Sequence, residues 1–88
     1  MARNDDGELL NDQDLARLEE EMARLEQEKE QCVRDIQTFR EQEDPEAGIF
    51  YAQKIHAQQQ EKLRLQVDID LCRARRNRYI LAREWGEV

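Results

Sequence analysis

Apolar residues in the first half of the chain recur every three or four positions, from Leu15 to Phe39. Written as heptads, they occupy the a and d positions, and one polar residue, Lys29, interrupts the pattern. The positions are Leu15, Leu18, Met22, Leu25, Lys29, Cys32, Ile36 and Phe39. Such a narrow apolar strip is typical of a coiled-coil helix rather than of a helix in a globular core.

The start of this first helix is marked by capping residues. Asn11 is a good N-cap, and Asp12 and Asp14 fall in the first turn, where the helix dipole favours acids. Leu10 and Leu15 occupy the positions of a hydrophobic staple. The sequence therefore predicts a helix over 12–43, preceded by a short disordered lead at 1–10.

The segment 43–48 predicts a break between two helices. Pro45 cannot continue an α-helix, whereas Asp44 followed by Pro45 is a favourable N-cap and N1 pair for a new helix. Gly48 could alternatively end the turn, so the connection is placed at 43–48 with both starts left open. A connection this short makes the two helices antiparallel neighbours.

The second helix is predicted over 45–85, beginning near Ile49 if Gly48 ends the turn, with Gly86 as its C-terminal stop. A turn centred near residue 46 brings Leu25 opposite Val67. The fold class that follows is all-α: an antiparallel two-helix coiled-coil hairpin within 11–88.

The second helix carries more apolar residues than one partner helix can cover. We call one set the Leu63 stripe: Leu63, Val67, Leu71, Ala74, Leu81 and Trp85. We call the other the Leu65 stripe: Leu65, Ile69, Cys72, Tyr79 and Ile80. The predicted register pairs the Leu63 stripe with the first helix and leaves the Leu65 stripe exposed. We therefore expect dimerisation into a four-helix bundle, as a homodimer or an obligate heteromer, through Leu65, Ile69, Cys72 and Ile80.

Charge is distributed unequally along the chain. The net charge is −7, with 14 acids and 6 bases in residues 1–43 against 7 acids and 8 bases in residues 44–88. The acidic balance argues against direct nucleic-acid binding, because that requires an excess of Lys and Arg.

A run of arginines near the C-terminus, interleaved with aromatic residues, is the candidate partner-binding site. Arg and aromatic side chains are the commonest anchors of protein interfaces. The predicted site residues are Arg75, Arg76, Arg78, Tyr79 and Trp85. The alternative is that this run only neutralises the acids between Asp12 and Glu21, which the hairpin places beside it.

Lys29, Cys32 and His56 lie near the predicted centre of the hairpin, where each could have a functional or a structural role. Lys29 at a heptad a position either lines a binding notch or sets the register of the helices, with its ammonium reaching Glu26 or Glu61. Cys32 and His56 could lie close together, but two ligands do not make a zinc site. We therefore predict no metal and no cofactor, and two free thiols, because Cys32 and Cys72 are too far apart for a disulfide.

The predicted turn is acidic, with Glu43, Asp44 and Glu46 at the tip of a coiled coil. In outline this tip resembles that of the bacterial transcript-cleavage factors. The resemblance implies an acidic hairpin tip inserted into a partner such as RNA polymerase. It covers the tip alone, and capping of the second helix explains Asp44 and Glu46 equally well.

Residue types limit the classes of function. The chain has no serine, one histidine and no Gly-rich phosphate loop, so we expect no enzymatic activity. It has neither an apolar run long enough to span a membrane nor a signal-peptide pattern, so we expect an intracellular protein. The interpretation favoured is a protein–protein interaction module: an adaptor, complex subunit or inhibitor. The alternative is an acidic regulator that mimics nucleic acid or inserts its tip into a partner.

Overall fold

The computed structural model of the protein describes residues 11–85 as a helical hairpin. Helix α1 spans Asp12–Gln42, a 3-10 turn spans Pro45–Ala47, and helix α2 spans Ala52–Glu84. This part of the chain contains no β-strand; its β-type pairing is an isolated bridge between Asp44 and Ile49. The predicted all-α hairpin is confirmed. The predicted lead at 1–10 and the stop at Gly86 lie outside the described residues.

The start of α1 is fixed by a reciprocal capping box. The backbone N–H of Asp14 donates to the Asn11 side chain at 2.9 Å, and the backbone N–H of Asn11 donates to the Asp14 carboxylate at 3.3 Å. These bonds satisfy two donors that a helix N-terminus otherwise leaves without partners. The N-cap predicted at Asn11 is therefore present.

The connection between the helices is longer than predicted. The Asp44 carboxylate caps the 3-10 turn by accepting from the Ala47 N–H at 3.3 Å. Gly48 follows with φ of 73°, a left-handed conformation that glycine adopts without a Cβ clash. Because the chain reverses there, Asp44 and Pro45 begin this turn instead of α2, which starts at Ala52 and not at residue 45.

Burial along α1 follows the predicted heptad. Five of its positions are buried: Leu18, Met22, Leu25, Cys32 and Ile36. The other three, Leu15, Lys29 and Phe39, are half-buried. The strip identified from the sequence is therefore the surface by which α1 packs against α2.

The structure reverses the predicted roles of the two stripes on α2. Leu65 and Ile69, predicted to face solvent, are 1% and 0% exposed and cluster with Leu25 and Cys32 of α1. Cys72 packs against this cluster, and Ile80 is half-buried. The prediction that this stripe is free for a dimer contact is therefore wrong. The prediction is wrong because it placed the wrong residues of α2 opposite α1. A change of two positions along a helix corresponds to a rotation of about 200°, which exchanges the packed and exposed faces of α2.

Candidate interaction surface

The Leu63 stripe forms an apolar surface along the outside of α2. Its large members are more than half exposed, from 53% for Leu81 to 82% for Trp85. The others in this range are Leu63, Val67 and Leu71. From Val67 onward the stripe has heptad spacing, with Arg78 between Ala74 and Leu81. Within residues 11–85 nothing packs over it, although the same spacing on α1 marks a helix-packing surface.

An open groove of about 610 Å³ runs beside this stripe, where α2 meets α1. Its apolar lining includes Leu25, Leu71 and Cys72. Its charged lining combines both signs: Glu21, Asp68, Arg75 and Arg78. The groove extends the apolar surface from the Leu63 stripe towards α1. The charged residues along it can pair with charges on another chain.

The predicted partner-binding residues divide between the two faces of α2. Trp85, Arg78 and Arg75 are exposed on or beside the Leu63 stripe. Tyr79 is only 6% exposed, and Arg76 is half-buried. The placement of these two on a free surface is therefore wrong, because their positions on the helix turn them towards α1. The arginine run contains both internal and outward-facing members.

Tyr79 belongs to a polar network that joins the ends of the two helices. Its hydroxyl donates to the Asp12 carboxylate at 2.7 Å, and the Arg83 guanidinium donates to the Tyr79 oxygen at 3.1 Å. Arg83 also forms an ion pair with Asp12. The Tyr79 hydroxyl and Arg83 lower the pKa of Asp12. The hydrogen bond to Asp12 and burial of the ring raise the pKa of Tyr79.

Other arginines of the run differ in how they are neutralised. Arg73 lies 3.1 Å from Asp70 and 3.9 Å from Glu26 of α1. Arg76 is half-buried, and its buried Nε finds no hydrogen-bond partner among residues 11–85. Arg75 and Arg78 form no ion pair within those residues. Neutralisation by the hairpin thus accounts for Arg73 and Arg83 and leaves the two outward-facing arginines to be explained.

The hairpin centre contains a cross-helix polar contact instead of the predicted ones. The Lys29 ammonium donates to the Gln66 side-chain oxygen, rather than reaching Glu26 or Glu61. This contact favours the register-setting interpretation over a binding notch. Cys32 is buried, which raises the pKa of its thiol, and Cys72 is a free thiol, whereas His56 is exposed. Across residues 11–85, no group of three or more potential metal ligands occurs.

At the hairpin tip, two of the three acids stabilise the local backbone. Asp44 caps the 3-10 turn, and the Glu43 carboxylate accepts from the Tyr51 N–H at 3.0 Å. The Phe39 and Tyr51 rings pack with their centroids 5.6 Å apart, and the Lys54 ammonium lies over both. The predicted capping of the second helix by Asp44 and Glu46 is therefore wrong: Asp44 caps the 3-10 turn, and α2 begins without a side-chain cap.

Sequence reasoning missed the outward direction of the Leu63 stripe and the network of Asp12, Tyr79 and Arg83. A signal for the first was present. At 100° per residue, the two stripes lie on opposite sides of α2, so only one can meet α1. The network had no local signal, because Asp12 and Tyr79 are 67 positions apart.

In the described part of the chain, neither helix is long and apolar enough to cross a membrane. Comparison of the chain with protein-family models, with curated proteins and with solved structures found no match. The case for a function therefore rests on the surface described above.

Proposed function

We propose that this protein is a non-catalytic protein–protein interaction module that binds through the exposed apolar face of α2. The observation that carries the proposal is the Leu63 stripe, whose five large members are each more than half exposed. Contiguous apolar surface on a small protein commonly marks an interaction site. The heptad spacing of the stripe suits a helical partner, since a and d side chains insert between those of a facing helix.

The chemistry of the stripe supports this role. Trp85 and Arg78 are residue types that contribute strongly to binding, because they combine large contact area with few lost conformations or with planar hydrogen bonding. Arg75 and Asp68 beside the stripe supply charges that can fix the orientation of a partner. Assembly of two hairpins into a four-helix bundle, as a homodimer or an obligate heteromer, is part of the same proposal.

A capture experiment tests the proposal. Three forms of the full chain are immobilised: wild type, a double variant with Leu71→Lys and Leu81→Lys, and the control Val33→Lys. Val33 is 44% exposed on α1, so its replacement changes apolar surface away from the stripe. We expect a defined set of proteins that wild type and control capture from a native lysate and that the double variant loses.

Circular dichroism must show that all three forms stay helical, which we expect because the replaced side chains are exposed. If the double variant captures the same proteins as wild type, quantified by mass spectrometry, the proposal fails. Two further variants, Arg78→Ala and Trp85→Ala, then show whether the end of α2 contributes as predicted.

A further inference from the structure

We propose that the Leu63 stripe binds the same stripe of a second copy of this chain, with the two α2 helices antiparallel. This inference rests on the proposed function, since it uses the same surface, and it commits that surface to a specific occupant. The contact is two-fold symmetric: Asp68 of each copy lies beside Arg75 of the other. The result is a four-helix assembly in which the α2 helices meet at the centre.

The order of charges along the stripe carries the argument. In its N-terminal half the acids Glu61 and Asp68 outnumber Arg64, which bonds to both, and in its C-terminal half Arg75 and Arg78 have no ion pair among residues 11–85. A two-fold axis between these halves brings the acids of each copy next to the bases of the other. A parallel arrangement would place like charges together. The surface is therefore complementary to itself in the antiparallel orientation, as an isologous contact requires.

Asp68 and Arg75 also lie on the same edge of α2, as the two-fold contact requires. Asp68 and Arg75 are seven residues apart, so they project from the same edge of α2, next to the groove. In an antiparallel helix pair, equivalent edges face each other. Asp68 is already held by Arg64 at 3.0 Å, but a carboxylate can accept from two donors. Arg75 has no carboxylate partner within residues 11–85, so the second copy supplies one.

The same alignment matches the apolar residues of the stripe. Placing Asp68 beside Arg75 of the second copy sets Leu71 opposite Ala74 and Val67 opposite Arg78. Leu71 then lies opposite a small side chain at the centre, where the helices approach most closely, and Arg78 lies against Val67, next to Asp68 of the second copy. The stripe from Leu63 to Trp85 is about 33 Å long at 1.5 Å per residue, a length typical of coiled-coil contacts.

Sedimentation equilibrium of the purified full chain, across a wide concentration range, is the first test. We expect a reversible monomer–dimer equilibrium that Leu71→Asp shifts to monomer and that Val33→Asp leaves unchanged. Leu71 is 60% exposed in the hairpin, so the monomer should keep its helicity by circular dichroism. A chain that stays monomeric at every concentration overturns the inference, as does a dimer that Leu71→Asp does not weaken.

A charge exchange tests the orientation. Asp68→Arg and Arg75→Glu each place like charges together twice in the dimer, so each variant alone should self-associate roughly tenfold more weakly. Mixed together, the two variants restore both attractive pairs, and native mass spectrometry should show mainly the mixed dimer. If neither variant weakens self-association, or if mixing does not restore it, the antiparallel two-fold contact is wrong.

Failure of this inference is distinct from failure of the proposed function. A monomeric chain whose stripe variants still lose captured proteins retains the interaction role with a different occupant. A dimer that captures nothing retains the self-association and loses the wider role. The two experiments therefore report on the same surface through independent measurements.

Discussion

The two faces of α2 are buried in the opposite order from the one their polarity predicts. The more polar face packs against α1, and the more apolar face is exposed. The face packed against α1 includes Gln58, Lys62 and Arg76, all half-buried, beside the fully buried Leu65 and Ile69. The outward face carries the large apolar residues of the Leu63 stripe. A helix therefore does not always turn its more apolar side towards the nearest partner. This difference is the basis of the proposal that the exposed face of α2 binds another chain.

Polar contacts help to explain why the less apolar face is inside. Tyr79 and Arg83 both reach Asp12, Lys29 donates to Gln66, and each contact joins α2 to α1. All three depend on the rotation of α2 that buries Ile69. The acidic first helix and the basic end of the second are thus matched on the inner face, while Arg75 and Arg78 remain outside.

The largest difference between the faces should appear in the free energy of unfolding. Ile69→Ala removes a fully buried side chain and should cost about 2–5 kcal/mol. Leu71→Ala removes an exposed one and should cost well under ~1 kcal/mol at low protein concentration. Urea unfolding followed by circular dichroism measures both. If the dimer forms, the effect of Leu71→Ala grows with concentration, because association stabilises the folded state. Equal costs at all concentrations would contradict the assignment of the faces.

Arg76 offers a test of whether the polar residues on the inner face of α2 lower the stability of the hairpin. Its buried Nε has no hydrogen-bond partner within residues 11–85, so Arg76→Leu should raise the free energy of unfolding by about 1 kcal/mol. The matched control is Arg78→Leu on the outer face, which should leave the stability of the monomer nearly unchanged. A loss of stability in Arg76→Leu would show that the guanidinium makes favourable contacts that outweigh the unpaired nitrogen.

Lys29 should show a smaller effect of the same sign. Replacing this a-position residue by Met removes a polar group from the contact between the helices and should stabilise the hairpin by a few tenths to ~1 kcal/mol. The replacement also removes the contact with Gln66, so the helix register should become less specific. Distances between spin labels on α1 and α2, compared with those of wild type, should broaden. If the distance distribution of the variant is as narrow as that of wild type, Lys29 does not set the register, and the turn alone is sufficient to do so.

The smallest expected effect is the pH dependence of the network at the helix ends. Because folding lowers the pKa of Asp12, its contribution is present above the ordinary carboxyl pKa and is lost as pH falls through the lowered value. Folding raises the pKa of Tyr79, so that contribution is present below the ordinary phenol pKa and is lost as pH rises through the raised value.

Thermal unfolding across this pH range, compared between wild type and Asp12→Asn, measures the contribution of the network. The stability advantage of wild type should be greatest near neutral pH and small throughout, because Asp12 is exposed. Glu20→Gln is a matched control, an exposed α1 carboxylate without a hydrogen bond among the described residues. An advantage that persists unchanged to low pH would show that the Asp12 charge is not responsible.

The sequence by itself determined α1 and the hairpin. Leu15 to Phe39 could be identified because each apolar position repeats at a fixed angle around one helix, and Asn11 because capping involves only neighbouring residues. Pro45 located the break for the same local reason. The candidate surface was only partly predicted: Trp85, Arg75 and Arg78 are exposed on or beside the Leu63 stripe, whereas Arg76 and Tyr79 face α1.

Only the tertiary structure decided which face of α2 meets α1. The sequence offers two apolar stripes on opposite sides of the helix, and their local apolarity does not decide which one packs against α1. The choice depends on the rotation of α2, which is set where the chain leaves the turn. Gly48 and the residues up to Tyr51 lengthen the connection, and contacts between distant residues, such as Asp12 with Tyr79, hold the result. A shift of two residues along a helix corresponds to a rotation of about 200°. An error of two residues in the predicted position of the turn therefore assigns the wrong face of α2 to the exposed surface.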